Sequence, residues 1–192
     1  MQIQTTALSD VLLLVSEPFH DDRGWFTRTF DTAIFDAFQV DAGSSVRSGD
    51  FTQDSQSRSH TGVVRGMHSR IGRGEAKLVR CARGAVLDVL VDIRPGSPTF
   101  GELESYVLDD LTHTHLFVPP GFLHGYQVTS SEDADVCYRI DRPHDPSEDV
   151  SVAFDDPTLA INWPQDITVV SARDRSAGSW EQLCRAVGVS SD

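Results

Sequence analysis

The chain has 192 residues, and Lys+Arg 16 against Asp+Glu 29 gives a formal net charge of −13 with the histidines neutral. That length suits one domain over residues 1–192 with a full hydrophobic core. The acidic balance argues against a nucleic-acid partner, because a polyanion would be repelled unless the bases were tightly clustered, but two or three arginines focused in a cleft still allow a small phosphate-bearing ligand.

The opening stretch, "MQIQTTALSDVLLLV", has no basic leader, and its apolar run from Val11 to Val15 is too short for a signal core or a membrane span. The expectation is a soluble, cytoplasmic protein with no membrane partner. Helical periodicity follows at "DTAIFDAF" (31–38), opened by Asp31 as a cap. In "VVRGMHSR" (63–70), two β-branched residues run into Arg65, Gly66, Met67 and His68. Arg65 and His68 are an odd number of positions apart, so a regular strand would point them to opposite faces.

Short strand-like segments then recur: "AKLVRCA" (76–82), "AVLDVLVDI" (85–93), "ELESYVLD" (102–109), "HLFVPP" (115–120) and "DVCYRI" (135–140). Gly, Pro, Ser and Asp clusters separate them, which predicts an all-β sandwich or barrel with a few short helices. Alternation in the second segment puts Leu87, Val89, Val91 and Ile93 on one face and Val86, Asp88, Leu90 and Asp92 on the other. The second face fits either a solvated outer surface, which the strand taken alone favours, or the polar lining of a ligand-holding barrel. A last helix is predicted at "SWEQLCRAV" (179–187), capped by Ser179. Cys81, Cys137 and Cys184 are odd in number and widely spaced, and read as buried, reduced thiols.

Seven histidines in an acidic β protein raise the question of a metal-binding barrel with an early His-x-His plus Glu and a later Pro-x-Gly-x-x-His. Pro119, Gly121 and His124 supply the later half, but His68 is followed by Ser69 and Arg70, and a cation beside Arg70 would be repelled. His113 and His115 form a His-x-His without a carboxylate at ligand spacing and read as exposed polar residues at a strand start. No metal is expected. His68 is then either a buried, hydrogen-bonded imidazole or a general base needing an orienting carboxylate, and spacing alone leaves both open.

Taken together, "DDRGWF" (21–26), "FTQDSQSRSHTGVVRGMH" (51–68), "AKLVR" (76–80), "DVLVDIRPGSPTFG" (88–101), "VPPGFLHGYQV" (118–128), "DDPTLAINWP" (155–164) and "SARD" (171–174) resemble, in order and spacing, the dTDP-4-dehydrorhamnose (dTDP-4-keto-6-deoxyhexose) 3,5-epimerase family. The resemblance implies a double-stranded β-helix (cupin, jelly roll), a homodimer, no metal or organic cofactor, and a dTDP-sugar as the small-molecule substrate in deoxysugar biosynthesis. It also implies a base at His68 oriented by Asp174, and Lys77 near the carbonyl oxygen that becomes an enolate. Arg23, Gln53, Arg65 and His124 match positions that bind nucleotide, diphosphate or sugar. For Arg65 and His68 to share one pocket, the alternation must break, and Gly66 is the residue most able to host a bulge there.

The departures from the family fall in the pocket. Pro143 and His144 stand where two tyrosines are usual, the second being the presumed proton donor, so His144 or Tyr138 is the candidate acid. Ser55 replaces Asn, Arg28 replaces Glu, and "HSR" replaces "HYQ" at 68–70. Such changes bear on which carbon is inverted and which sugar is accepted. A homologue that binds the nucleotide sugar without turnover is the alternative.

Overall fold

The computed structural model describes residues 1–189, and the fold is a jelly roll of the cupin type. In chain order the strands are β1 (Gln2–Thr5), β2 (Leu12–Val15), β3 (Phe19–Asp21), β4 (Gly24–Phe26), β5 (Gln53–Ser59), β6 (Val64–Arg70), β7 (Lys77–Arg83), β8 (Ala85–Asp92), β9 (Leu103–Asp109), β10 (His115–Val118), β11 (Phe122–Val128), β12 (Ala134–Ile140) and β13 (Asp149–Ser151). The helices are α1 (Thr32–Asp41), α2 (Ala172–Arg175) and α3 (Trp180–Ala186). Two antiparallel sheets face each other, one ordered β1-β2-β10-β7-β12-β5 and the other β13-β6-β11-β8-β9, while β3 and β4 form a separate hairpin.

The interior between the sheets is filled by Val79, Cys81, Leu90, Leu108, Leu116, Phe122 and Val136. Each outer face is covered as well. Phe35 of α1 packs with Leu12, Leu14, Leu78 and Phe117 against the first sheet, and Trp180, Leu183 and Cys184 of α3 pack with Met67, Val89, Val91 and Leu123 against the second. Both helices begin where expected. The Asp31 carboxylate accepts from the Ala33 and Ile34 amides, and Ser179 and Gln182 cap α3 reciprocally.

The covered outer face corrects the favoured reading of β8. Leu87, Val89, Val91 and Ile93 do share a face, but it lies under α3, and the face with Asp88 and Asp92 points inward, where both carboxylates are 0% exposed. Each is tolerated there because it is partnered. Asp88 Oδ2 accepts from His124 Nε2 at 2.9 Å. Asp92 accepts from Arg94, Ser97 and Thr99, and these hydrogen bonds outweigh burial to hold its carboxyl below the usual range. His115 is likewise buried rather than exposed, 4% accessible, with no hydrogen-bond partner for Nε2 among the described residues. Of the thiols, Cys81 and Cys184 are buried and Cys137 is half-buried; none is in a disulfide.

Candidate active site

One end of the interior is open. Polar side chains from β5, β6, β7, β11 and β12, together with α2, enclose a cavity of ≈ 820 Å³ there. β5, "QDSQSRS", builds one wall by simple alternation, with Gln53, Ser55, Ser57 and Ser59 on the cavity side. Ser57 and Ser59 bond the Tyr126 hydroxyl at 2.9 and 3.3 Å, and Ser59 Oγ accepts from Arg65 Nε at 2.9 Å.

The expected break in β6 is present. His124 lies opposite His68 and Tyr126 opposite Arg65, so Gly66 and Met67 together face Gly125 alone. One extra residue on β6 is a bulge, and it turns Arg65 and His68 toward the same cavity. The Gly66–Met67 peptide is cis, and Gly66 has φ 129. A Cβ there would lie 2.6 Å from Gly125 Cα, and one on Gly125 would lie 2.6 Å from Met67 Sδ, so the two glycines allow the strands to meet.

His68 and Asp174 are joined from opposite ends of the chain. Val64 N–H donates to Val169 O at 3.1 Å and Thr168 N–H to Gly62 O at 3.1 Å, lashing the C-terminal segment to the entry of β6. Ser171 then caps α2 by accepting from the Asp174 amide at 3.0 Å, which fixes Asp174 in the first turn. The buried Asp174 carboxylate, 3% exposed, is 2.7 Å from His68 Nε2 through Oδ1 and accepts from Gly66 N–H at 3.3 Å through Oδ2. Nδ1 of His68 has no partner among the described residues and is left to the cavity. Burial pushes the His68 imidazole below its ordinary pKa, outweighing the raising effect of Asp174, so the ring is neutral and able to accept a proton at pH 7.

Lys77, the first residue of β7, lines the same cavity, its Nζ 3.0 Å from Glu75 Oε1. Tyr138, paired across from Ser55 and Val79, presents a phenol whose pKa is raised, first by burial and then by Tyr126, so it stays protonated. Arg65 has no carboxylate partner among the described residues and is free to meet an anion. His124, held by Asp88, completes the lining beside His68. Among the described residues no three His, Cys, Asp or Glu side chains cluster as metal ligands.

Two expected binding residues are not brought to this cavity. Arg23 lies at the tip of the β3–β4 hairpin, 90% exposed and paired with Asp21 at 2.7 Å; Arg28 is 70% exposed and paired with Asp31 at 3.0 Å. The β3–β4 hairpin is a separate two-stranded sheet with Arg23 in its turn, and Arg28 follows it in the chain. His144 does line the cavity, yet β12 ends at Ile140, so it does not share a strand face with Tyr138. Its Nδ1 accepts from Arg70 Nη2 at 3.0 Å. Its Nε2 is 3.5 Å from Asp149 Oδ2, so both ring nitrogens face protein neighbours. Sequence reasoning did not single out Glu75, Ser57, Ser59, Tyr126, Asp149 or Arg173, although the serines at every second position of β5 were a readable signal.

A jelly roll whose open end holds an Asp-oriented neutral histidine, a lysine, a protonated phenol and an unpaired arginine is a pocket for moving protons on an anionic small molecule. Comparison with known proteins narrows the class. A family model described as dTDP-4-dehydrorhamnose 3,5-epimerase matches residues 5–182. The dTDP-4-dehydrorhamnose 3,5-epimerase of Escherichia coli is 37% identical over 96% of this chain and 97% of its own length. A 4-keto-6-deoxy sugar epimerase from the novobiocin biosynthetic gene cluster of Streptomyces spheroides superposes with a TM-score of 0.88 at 34% identity, covering 100% of this chain and 94% of that one. A 3'-monoepimerase from Streptomyces bikiniensis, in complex with dTDP, has a TM-score of 0.84 at 28% identity over 97% of this chain and 92% of that one. It was crystallised as a double mutant at a histidine and a tyrosine whose separation along the chain equals that of His68 and Tyr138. The chain belongs to the dTDP-4-dehydrorhamnose 3,5-epimerase family.

Proposed function

We propose that the protein is an epimerase of a dTDP-4-keto-6-deoxyhexose, inverting carbon 3, carbon 5 or both. A ketone at carbon 4 acidifies the hydrogens on its two neighbours. His68 removes one of them through Nδ1, while Asp174 keeps the other ring nitrogen protonated and balances the imidazolium that forms. The electrons move into the carbonyl, and the Lys77 ammonium stabilises the enolate oxygen. Tyr138 returns a proton from the other face of the ring, which inverts the centre. Arg65 takes the diphosphate, with Gln53, Ser55 and His124 as further substrate contacts. The observation that carries this reading is the 2.7 Å His68–Asp174 contact at the wall of a cavity large enough for a nucleotide sugar.

Tyr138, rather than His144, is the acid in this scheme, supported by its raised pKa and by its separation from His68. The alternative of a binding protein without turnover rested on a missing tyrosine, and nothing in the pocket or among the relatives favours it. Incubation with dTDP-4-keto-6-deoxyglucose, followed by ring-proton couplings in NMR, should reveal an inverted centre that His68→Ala does not produce. Substrate that binds the native protein and keeps its configuration would refute the proposal.

The homodimer belongs to the same reading. Phe19, Trp25 and Phe26 are 69%, 54% and 70% exposed on the β3–β4 hairpin, an apolar surface that calls for a cover. Sedimentation of the native protein at twice the monomer mass is expected, and Phe26→Ser should shift it toward monomer. A cytoplasmic setting fits too, since buried free thiols such as Cys81 and Cys184 persist there reduced.

A further inference from the structure

Glu75 was not among the residues the sequence pointed to, yet it pairs with two of the cavity's cations, Lys77 and Arg70. Its position is built. The loop between β6 and β7 is pinned at both ends, Ile71 N–H donating to Glu148 O at 3.0 Å and Ala76 N–H to Asp141 Oδ1 at 2.9 Å. Gly74, at φ +67, lies so close to Pro120 that an added Cβ would come within 2.9 Å of the proline Cβ. The backbone on either side of Glu75 therefore has little latitude, and the side chain, 9% exposed, is turned into the cavity.

Both carboxylate oxygens carry a cation. Oε1 is 3.0 Å from Lys77 Nζ, and Oε2 is 2.8 Å from Nη1 of Arg70, whose side chain is only 5% exposed. Arg70 also donates to Pro143 O at 3.1 Å and to His144 Nδ1 at 3.0 Å, and its Nε is 3.5 Å from Asp149 Oδ1. Glu75 thus ties the enolate-facing lysine to the guanidinium that fixes His144. No other carboxylate pairs with Lys77 among the described residues, and a lysine on a flexible four-carbon stem does not hold one place unaided.

We infer that Glu75 is a positioning residue, holding the Lys77 ammonium where the enolate oxygen forms and, through Arg70, holding the His144 ring in its place on the cavity wall. This rests on the epimerase reading above. The same carboxylate also faces the Tyr138 phenol and helps to keep it protonated. Lys77 stabilises charge that exists only after proton abstraction, so misplacing it should cost turnover more than binding.

The test compares Glu75→Gln, Arg70→Gln and the double replacement with the native enzyme, measuring kcat, KM and thermal midpoint on dTDP-4-keto-6-deoxyglucose. Glu75→Gln leaves Lys77 without its carboxylate and Arg70 with only Asp149, and should lower the midpoint; Arg70→Gln leaves Glu75 paired with Lys77 and should lower it less; the double replacement removes the Arg70 charge as well and should restore part of what Glu75→Gln loses. If Glu75 positions Lys77, Glu75→Gln lowers kcat by on the order of 10- to 100-fold with KM within about threefold, and the double variant regains stability without regaining kcat. Native kcat in Glu75→Gln, or kcat that returns together with the midpoint in the double variant, would overturn the inference and leave Glu75 a structural ion pair. A native enzyme that turns over no substrate would overturn the epimerase reading itself, and this inference with it.

Discussion

Asp174→Asn tests the dyad most sharply, because the structure dictates how the amide must lie. Asp174 Oδ2 accepts from Gly66 N–H, and Oδ1 faces His68 Nε2. An asparagine has one acceptor and one donor, and the Gly66 amide can only be met by the acceptor. The NH₂ group is then forced toward His68 Nε2, which must accept from it, so the imidazole proton moves to Nδ1, the nitrogen that faces the substrate. The base is present but blocked. A tautomer inversion of this kind costs roughly 10³- to 10⁴-fold in kcat/KM. There is a second signature. Burial lowers the His68 pKa and Asp174 opposes that shift, so losing the carboxylate lowers it further, and the acid limb of the pH profile should move to lower pH as the plateau falls. The assay is kcat/KM against pH for both proteins on dTDP-4-keto-6-deoxyglucose. A variant within about tenfold of native, or an acid limb displaced upward, would refute the assignment of Asp174 as the residue that fixes the tautomer.

Tyr138→Phe should abolish inversion by about 10²- to 10⁴-fold while still allowing His68 to exchange the abstracted hydrogen with solvent, whereas His144→Ala should cost less than about tenfold; the reverse order would make His144 the acid. Acid stability should track His115, whose pKa is lowered from 6.5 to about 3, first by burial and then by Arg80, Arg139 and His113. The unfolded chain binds the extra proton below pH 6.5, so stability is lost as pH falls toward 3, by up to ~1.4 kcal/mol per pH unit, and His115→Leu should flatten that loss in acid unfolding curves. Gly66→Ala should cost at least about 2 kcal/mol in chemical unfolding, because its φ of 129 and the 2.6 Å approach to Gly125 Cα leave no room for a methyl group.

What the sequence reveals and what it hides divide by range. The strands of 77–140 are legible from period-2 alternation and turn residues, and the bulge at Gly66–Met67 follows from requiring Arg65 and His68 to meet in one pocket. Asp88 and Asp92 mislead because alternation in one strand cannot distinguish a solvated face from an interior one. Their partners decide it, and for Asp88 the partner is on β11. His115 misleads similarly, since what buries it is its place on β10 between Leu14 of β2 and Arg80 of β7, which the local sequence does not show. Arg23 matches a binding position but rides on a hairpin whose direction no local pattern encodes, and Arg28, which stands where Glu is usual, lies just past that hairpin and pairs with Asp31. His144 lies past the end of β12 at Ile140, so strand alternation says nothing about which way it points. Glu75 went unnoticed because a carboxylate in a Gly-rich loop ordinarily reads as solvated. Its burial comes from Gly74 meeting Pro120, and the intervening chain makes that contact invisible in the sequence.

The central claim is that His68 strips hydrogen from a carbon beside the sugar ketone. Incubating native protein with dTDP-4-keto-6-deoxyglucose in heavy water and locating the label by NMR measures that event directly. Deuterium should enter carbon 3, carbon 5 or both, and His68→Ala should leave the sugar unlabelled. Bound substrate that acquires no deuterium from the native enzyme, or label that enters equally fast without the imidazole, would contradict it.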